Sequence, residues 1–266
     1  MDQLLNTIKT FEIADILIST LGLSAYPIGV RFLPQGSETP KGAEILHQHR
    51  YCQALMKARS GKNVLLNADG ISCPAAASAF GFRPLPEQLE CGKGLVGFGI
   101  ISSEVVGRKM FEGMSRLEPG SVASLHIYPL GYVDSLPDVV IVEDEPEKLM
   151  WIALSYLHAT GGERVQGSTA VLQATCVDST VIPYLENRLN YGLGCYGCRD
   201  ATDICANETV LGFPGKTLPA IIDHLQYLGS KAIPRSRSKG AHGTLMQINR
   251  TTDCGPSANC ASCGTD

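Results

Sequence analysis

The sequence predicts an α/β (α+β) fold: two similar half-domains, as a tandem duplication would leave them, followed by an irregular C-terminal tail anchored by metal. Three observations carry this expectation. Helix-like and strand-like apolar segments alternate up to about residue 230. Two long stretches match each other with gaps. Ten cysteines stand in a chain that shows no secretory signal.

The elements follow in order. MDQLLNTIKTFEIADILIST reads as an amphipathic helix, with Leu4, Leu5, Ile8, Phe11, Ile16 and Leu17 near one face. Residues 26–34 read as a strand ending at proline, 44–59 as a helix closed by Gly61, and 64–68 as a short strand. Cys73 opens CPAAASAFG, helical in composition and stopped by Gly81. Residues 103–115 read as helix and 121–130 as strand. The order then repeats, with a strand at 138–144, a helix at 145–160, the strand STAVLQAT at 168–175 and a helix near 178–188. A cysteine-rich turn, a strand near 209–213 and a helix at 217–229 complete the second set.

The gapped match sets IGVRFLP against VVIVEDEP and NVLLNADGISCPAAA against STAVLQATCVDST, which places Cys73 opposite Cys176. CGKG (91–94) then falls against GLGCYG (192–197). The expected division is a first half over 1–135, a second over 136–230 and the tail over 231–266. Cysteines from both halves would converge at the junction, where ligand sites tend to form.

Composition excludes several classes. With 266 residues, the chain can build a closed core without staples. Apolar residues at 44% and charged residues at 18% are ordinary for a globular chain. A net charge of −4 gives no global field for nucleic acid. Lys231, Arg235, Arg237 and Lys239 read as a solvated loop. No run is long and apolar enough for a membrane span, and Asp2, Glu12 and Asp15 interrupt the N-terminus, so a cytoplasmic chain is expected.

The cysteines are therefore read as metal ligands. GLGCYGCRDATDIC places Cys195, Cys198 and Cys205 in Cys-x2-Cys-x6-Cys spacing, and its glycines let the backbone wrap closely around a metal group. The tail supplies Cys254, Cys260 and Cys263 in a polar stretch that burial cannot order. Cys52, Cys73 and Cys176 are scattered. Cys73 and Cys176 are read at strand-to-helix turns, where helix amides favour a thiolate. Cys91 is left open between ligand and loop residue. Structural zinc would be served by the pairs Cys195/Cys198 and Cys260/Cys263, but Cys205 and Cys254 would be left over. Dispersed ligands in glycine-rich turns suit one or two [4Fe–4S] clusters better. The six histidines form no metal signature, and no dinucleotide fingerprint, P-loop or nucleophile elbow is present.

CQALMKARSGKNVLLNADGISCPAAASAFGF, PDVVIVEDEP, the cysteine at 176 and GLGCYGCRDATD…ETVLGFP together resemble the family called domain of unknown function 169, over roughly residues 10–230. The resemblance implies that Cys52, Cys73, Cys176 and Cys195 are the shared cysteines and would hold a core cluster. Cys198, Cys205 and the tail cysteines look like additions that would hold a second one. The resulting expectation is an iron–sulfur redox protein of anaerobic metabolism, either an electron carrier or a small-molecule oxidoreductase, served by a redox partner protein. The alternatives are a non-enzymatic zinc- or cluster-binding module and an enzyme using a reactive thiol. Whether the chain self-associates is left open. Arg59, Arg199 and Glu208 are the polar candidates for binding a substrate.

Overall fold

The computed structural model describes residues 10–252, with side chains through residue 246. Helix α1 (Thr10–Leu21) leads into strand β1 (Ile28–Leu33). A two-residue strand β2 (Glu44–Ile45), helix α2 (Tyr51–Arg59), strand β3 (Val64–Asn67) and helix α3 (Pro74–Ala79) follow. Three short helices, α4 (Glu87–Glu90), α5 (Lys93–Gly97) and α6 (Glu104–Glu112), precede strand β4 (Ser124–Pro129). Then come β5 (Val139–Asp144), α7 (Pro146–Ala159), a π-helix (Ala174–Val181) and α8 (Ile182–Glu186). The remaining elements are β6 (Asn190–Gly192), α9 (Tyr196–Ala201), β7 (Thr209–Pro214), α10 (Leu218–Ser230), α11 (Ala232–Arg237) and α12 (Gly240–Thr252).

The strands form one mixed sheet in the order β2-β3-β4-β1-β5-β7-β6, antiparallel except for the β2–β3 pair. Its register is mirrored about the central pair. Gly29 faces Val140, with Ile28 opposite Ile141 and Val30 opposite Val139. Ile28 faces Pro129 on one side, and Val139 faces Pro214 on the other. All six residues of β5 are buried, so this strand is covered on both faces. One face carries the core formed by Ile28, Val30, Leu66, Leu125, Ile127 and Val210 with α2, α3 and the π-helix, and Cys176 is part of that core. Two compact units divide at Gln226/Tyr227, and the whole sheet belongs to the first.

Several sequence expectations need correction. Residues 44–50 are not helical: Glu44 and Ile45 pair with Val64 and Leu65, and the Leu46 amide donates to Leu65 O, so the helix starts only at Tyr51. STAVLQAT is not a strand. Val171 and Gln173 take left-handed φ values of 59° and 56°, which break extended geometry before the π-helix begins. Cys176 therefore lies inside a helix that precedes β6. Cys195, rather than Cys176, is the cysteine that like Cys73 caps a helix following a strand. Cys73 caps the helix after β3, and Cys195 caps the helix after β6. From residue 231 the chain is not irregular, since α11 and α12 fill 232–237 and 240–252. Arg235 and Arg237 thus sit on a helix rather than a loop, and Pro234 is tolerated because it falls in the first turn. Cys254, Cys260 and Cys263, on which the expected metal-anchored tail depends, lie outside the described residues.

Candidate functional site: a cavity of five cysteines

Cys52, Cys73, Cys176, Cys195 and Cys198 line a single cavity of about 290 Å³ on the core face of the sheet. Each belongs to the beginning of a helix. Cys52 is in the first turn of α2, Cys73 caps α3, Cys176 is in the first turn of the π-helix, Cys195 caps α9 and Cys198 follows in its first turn. Helix beginnings carry amides without intrahelical partners, and these favour negative charge on sulfur. The effect is direct at two of the thiols. The amides of Ala75 and Ala76 approach Cys73 and pull its pKa down, though burial outweighs them. The Cys198 amide donates to Cys195 Sγ at 3.3 Å.

The sulfurs also meet one another. Cys195 Sγ and Cys198 Sγ are 3.1 Å apart, and Cys198 Sγ lies 3.2 Å from Thr175 Oγ1. Burial, aided by Cys73, Cys195 and Cys198, holds the Cys176 thiol well above its ordinary range. Cys195 is raised first by its contact with Cys198 and then by burial. For Cys198, the contact with Cys195 acts downward, but contact with Cys52 and burial outweigh it and push the thiol up to about 11. Cys73, Cys176, Cys195 and Cys198, thiols that disfavour ionisation alone, would be stabilised as thiolates by a shared cation. Among the described residues no histidine lines the cavity, so no Cys–His pair is formed there.

The π-helix brings Cys176 here because two glycines let it approach the sheet. A Cβ on Gly212 would stand 1.8 Å from Ser179 O, and one on Gly192 would stand 2.7 Å from Ala174 O. π-Helical turns concentrate at functional sites, and this one is buried at all eight positions. Asn190 fixes its flank, donating to Asp178 O at 2.8 Å and to Ser168 O at 2.8 Å.

The other candidates lie elsewhere. Cys205 is exposed and lines a second cavity with Arg59 and Glu208, so the Cys-x2-Cys-x6-Cys spacing is divided between two places. Arg59 is buried and paired with Glu143 at 3.4 Å, Glu208 at 3.7 Å and Asp203. Arg199 donates to the carbonyls of Cys205, Leu193 and Glu208, stapling the loop after α9. Cys91 caps α4, away from the cavity lining. Sequence reasoning missed Arg50. It precedes Tyr51 and Cys52 at the start of α2, lines the cysteine cavity, and donates to Gly197 O at 2.9 Å. Its place two residues before Cys52 was the available signal.

Among the described residues no helix is long and apolar enough to cross a membrane. Nor do three or more His, Cys, Asp or Glu side chains stand there in an arrangement suited to a single metal ion. The fold and cavity define an α/β protein with a shared cysteine site. The sequence profile of the domain of unknown function 169, described as "uncharacterised ArCR", matches residues 16–224, and the chain belongs to that family. No curated protein and no solved structure matches it.

Proposed function

We propose that the cavity holds an iron–sulfur cluster of the [4Fe–4S] type and that the protein is a redox protein of anaerobic metabolism, an electron carrier or small-molecule oxidoreductase. The observation that carries this reading is the convergence of five cysteines, each in the opening turn of a helix, on one buried cavity. The residues fit the group. A cubane takes four thiolates spread around its own volume, and five are present. The amide that donates to Cys195 Sγ is the kind of hydrogen bond to sulfur that tunes a cluster's potential. Bound there, the cluster would supply one-electron transfer, and the protein's part is to exclude water and hold the thiolates.

Zinc is the second reading, favoured by the close Cys195/Cys198 pair. Cys254, Cys260 and Cys263 are proposed as ligands of a further metal group that orders the tail. We also attribute the mirrored sheet register to tandem duplication of a three-strand unit, with β1, β3 and β4 answering to β5, β6 and β7. An optical and electron paramagnetic resonance spectrum of anaerobically purified protein tests the cluster directly. A brown protein whose signal changes on reduction supports it, and a colourless zinc protein overturns it.

A further inference from the structure

The cysteine cavity has a second kind of wall. Leu89, Leu95, Phe98, Ile100, Phe111 and Leu172 line it together with the thiols. Phe98 is 69% exposed and Tyr196, also lining, is 63% exposed, so these rings stand at an open mouth. Small-molecule sites are built this way, with apolar walls and a few fixed polar groups.

Among the described residues, Arg50 is the one charged side chain of the lining. Its Nη1 is tied to Gly197 O at 2.9 Å and lies 3.6 Å from Asp200, which anchors the guanidinium between α2 and α9. Among the described residues, its Nε and Nη2 donors meet no acceptor. An arginine fixed by one nitrogen and open at the others is preorganised for a carboxylate. The sequence-level candidates differ in this respect, since Arg59 is paired with three carboxylates and Arg199 with three carbonyls. A group of thiolates also repels an approaching anion, so an anionic ligand needs a cation at this rim.

We propose that the mouth of the cavity binds a small apolar carboxylate, its acid group on Arg50 and its hydrocarbon body against Phe98 and the leucine-rich wall. The inference rests on the redox reading in naming this molecule the substrate class, but the binding itself does not require the cluster.

The test uses phenylacetate and phenethyl alcohol, which share an apolar body and differ in charge. Binding to the full chain is measured by titration calorimetry and ligand-observed NMR, before and after iron and sulfide reconstitution, with iron content determined on the same samples. The acid should bind about ten-fold or more tightly than the alcohol. Arg50→Gln should abolish that ratio, Arg50→Lys should restore part of it, and Phe98→Ala, at an exposed position, should weaken both ligands alike. Equal binding of acid and alcohol, binding of neither, or a ratio unchanged in Arg50→Gln would overturn the proposal. In that last case Arg50 would be only a counter-ion to the sulfurs. Absence of iron with the acid preference intact would instead sink the cluster reading alone.

Discussion

The two halves of the sheet present the same backbone to very different neighbours. In β4, Ile127 stands two residues before the closing Pro129; in β7, Gly212 stands two residues before the closing Pro214. Leu66 in β3 pairs with Leu125, and Gly192 in β6 holds the matching place opposite Val210. Where the sheet carries Leu and Ile, helix α2 packs on it through side chains. Where it carries glycine, the backbone of the π-helix comes into direct contact. One half thus builds an ordinary core, and the other surrenders side-chain volume to bring Cys176 and Thr175 beside Cys195 and Cys198. The difference shows that glycine in a strand can be a device for placing a cavity rather than a weakness of the strand.

Gly212→Val is the strongest way to break this comparison. Its first added carbon would meet a backbone carbonyl rather than a movable side chain. A loss of about 3 kcal/mol or more, with Cys176 newly open to alkylation, is expected from urea unfolding and thiol labelling. Ile127→Ala should cost a similar amount, about 2–4 kcal/mol, through a cavity, yet leave Cys176 protected. Equal thiol exposure in both variants would mean that the glycines do not position the π-helix. Gly192→Ala should have a smaller effect, about 1–3 kcal/mol, because one of its two close neighbours is the Ser179 hydroxyl, which can rotate away.

The halves also respond to pH in opposite directions. Burial pushes the Glu143 carboxyl on β5 up to about 7, against the pull of Arg59. A raised acid binds its proton more tightly in the folded state, so its contribution is complete below its ordinary 4.5 and is lost as pH rises towards 7. Burial, with Arg31 nearby, holds His126 on β4 down at about 4, and its ring Nε2–H donates to Asn63 Oδ1 at 2.6 Å. A lowered histidine contributes fully above 6.5, and that contribution is lost as pH falls towards 4. Chemical denaturation of Glu143→Gln from pH 4.5 to 7 should therefore lose a falling component, and His126→Gln from pH 4 to 6.5 a rising one. Unchanged slopes in either variant would place the titration elsewhere.

Much of the strand framework was legible because β1, β3, β5 and β7 are short apolar runs bounded by proline, glycine or asparagine. The five cavity cysteines were legible as a set of ligand candidates, since thiols in a chain able to build its own core call for another explanation. Their partition was not. A two-residue gap keeps Cys195 and Cys198 in one turn, but the Arg199-stapled loop carries Cys205 away. The π-helix was hidden because STAVLQAT is a short run around Ala170, Val171 and Leu172 that reads as a strand, and only the contact with Gly192 and Gly212 decides otherwise. The same misreading set Cys73 against Cys176, although Cys73 caps a helix and Cys176 lies inside one.

Iron, zinc and acid-labile sulfide measured on anaerobically purified full-length protein test the cavity cluster most directly, if three forms are compared. A cluster in the cavity requires iron and sulfide in equal amounts in the wild type. It requires that a share of both survive when Cys254, Cys260 and Cys263 are all changed to serine, and that this surviving share vanish when Cys73→Ser and Cys176→Ser are added. Zinc in place of iron, or iron that disappears with the tail cysteines and ignores Cys73 and Cys176, would contradict a cluster in this cavity.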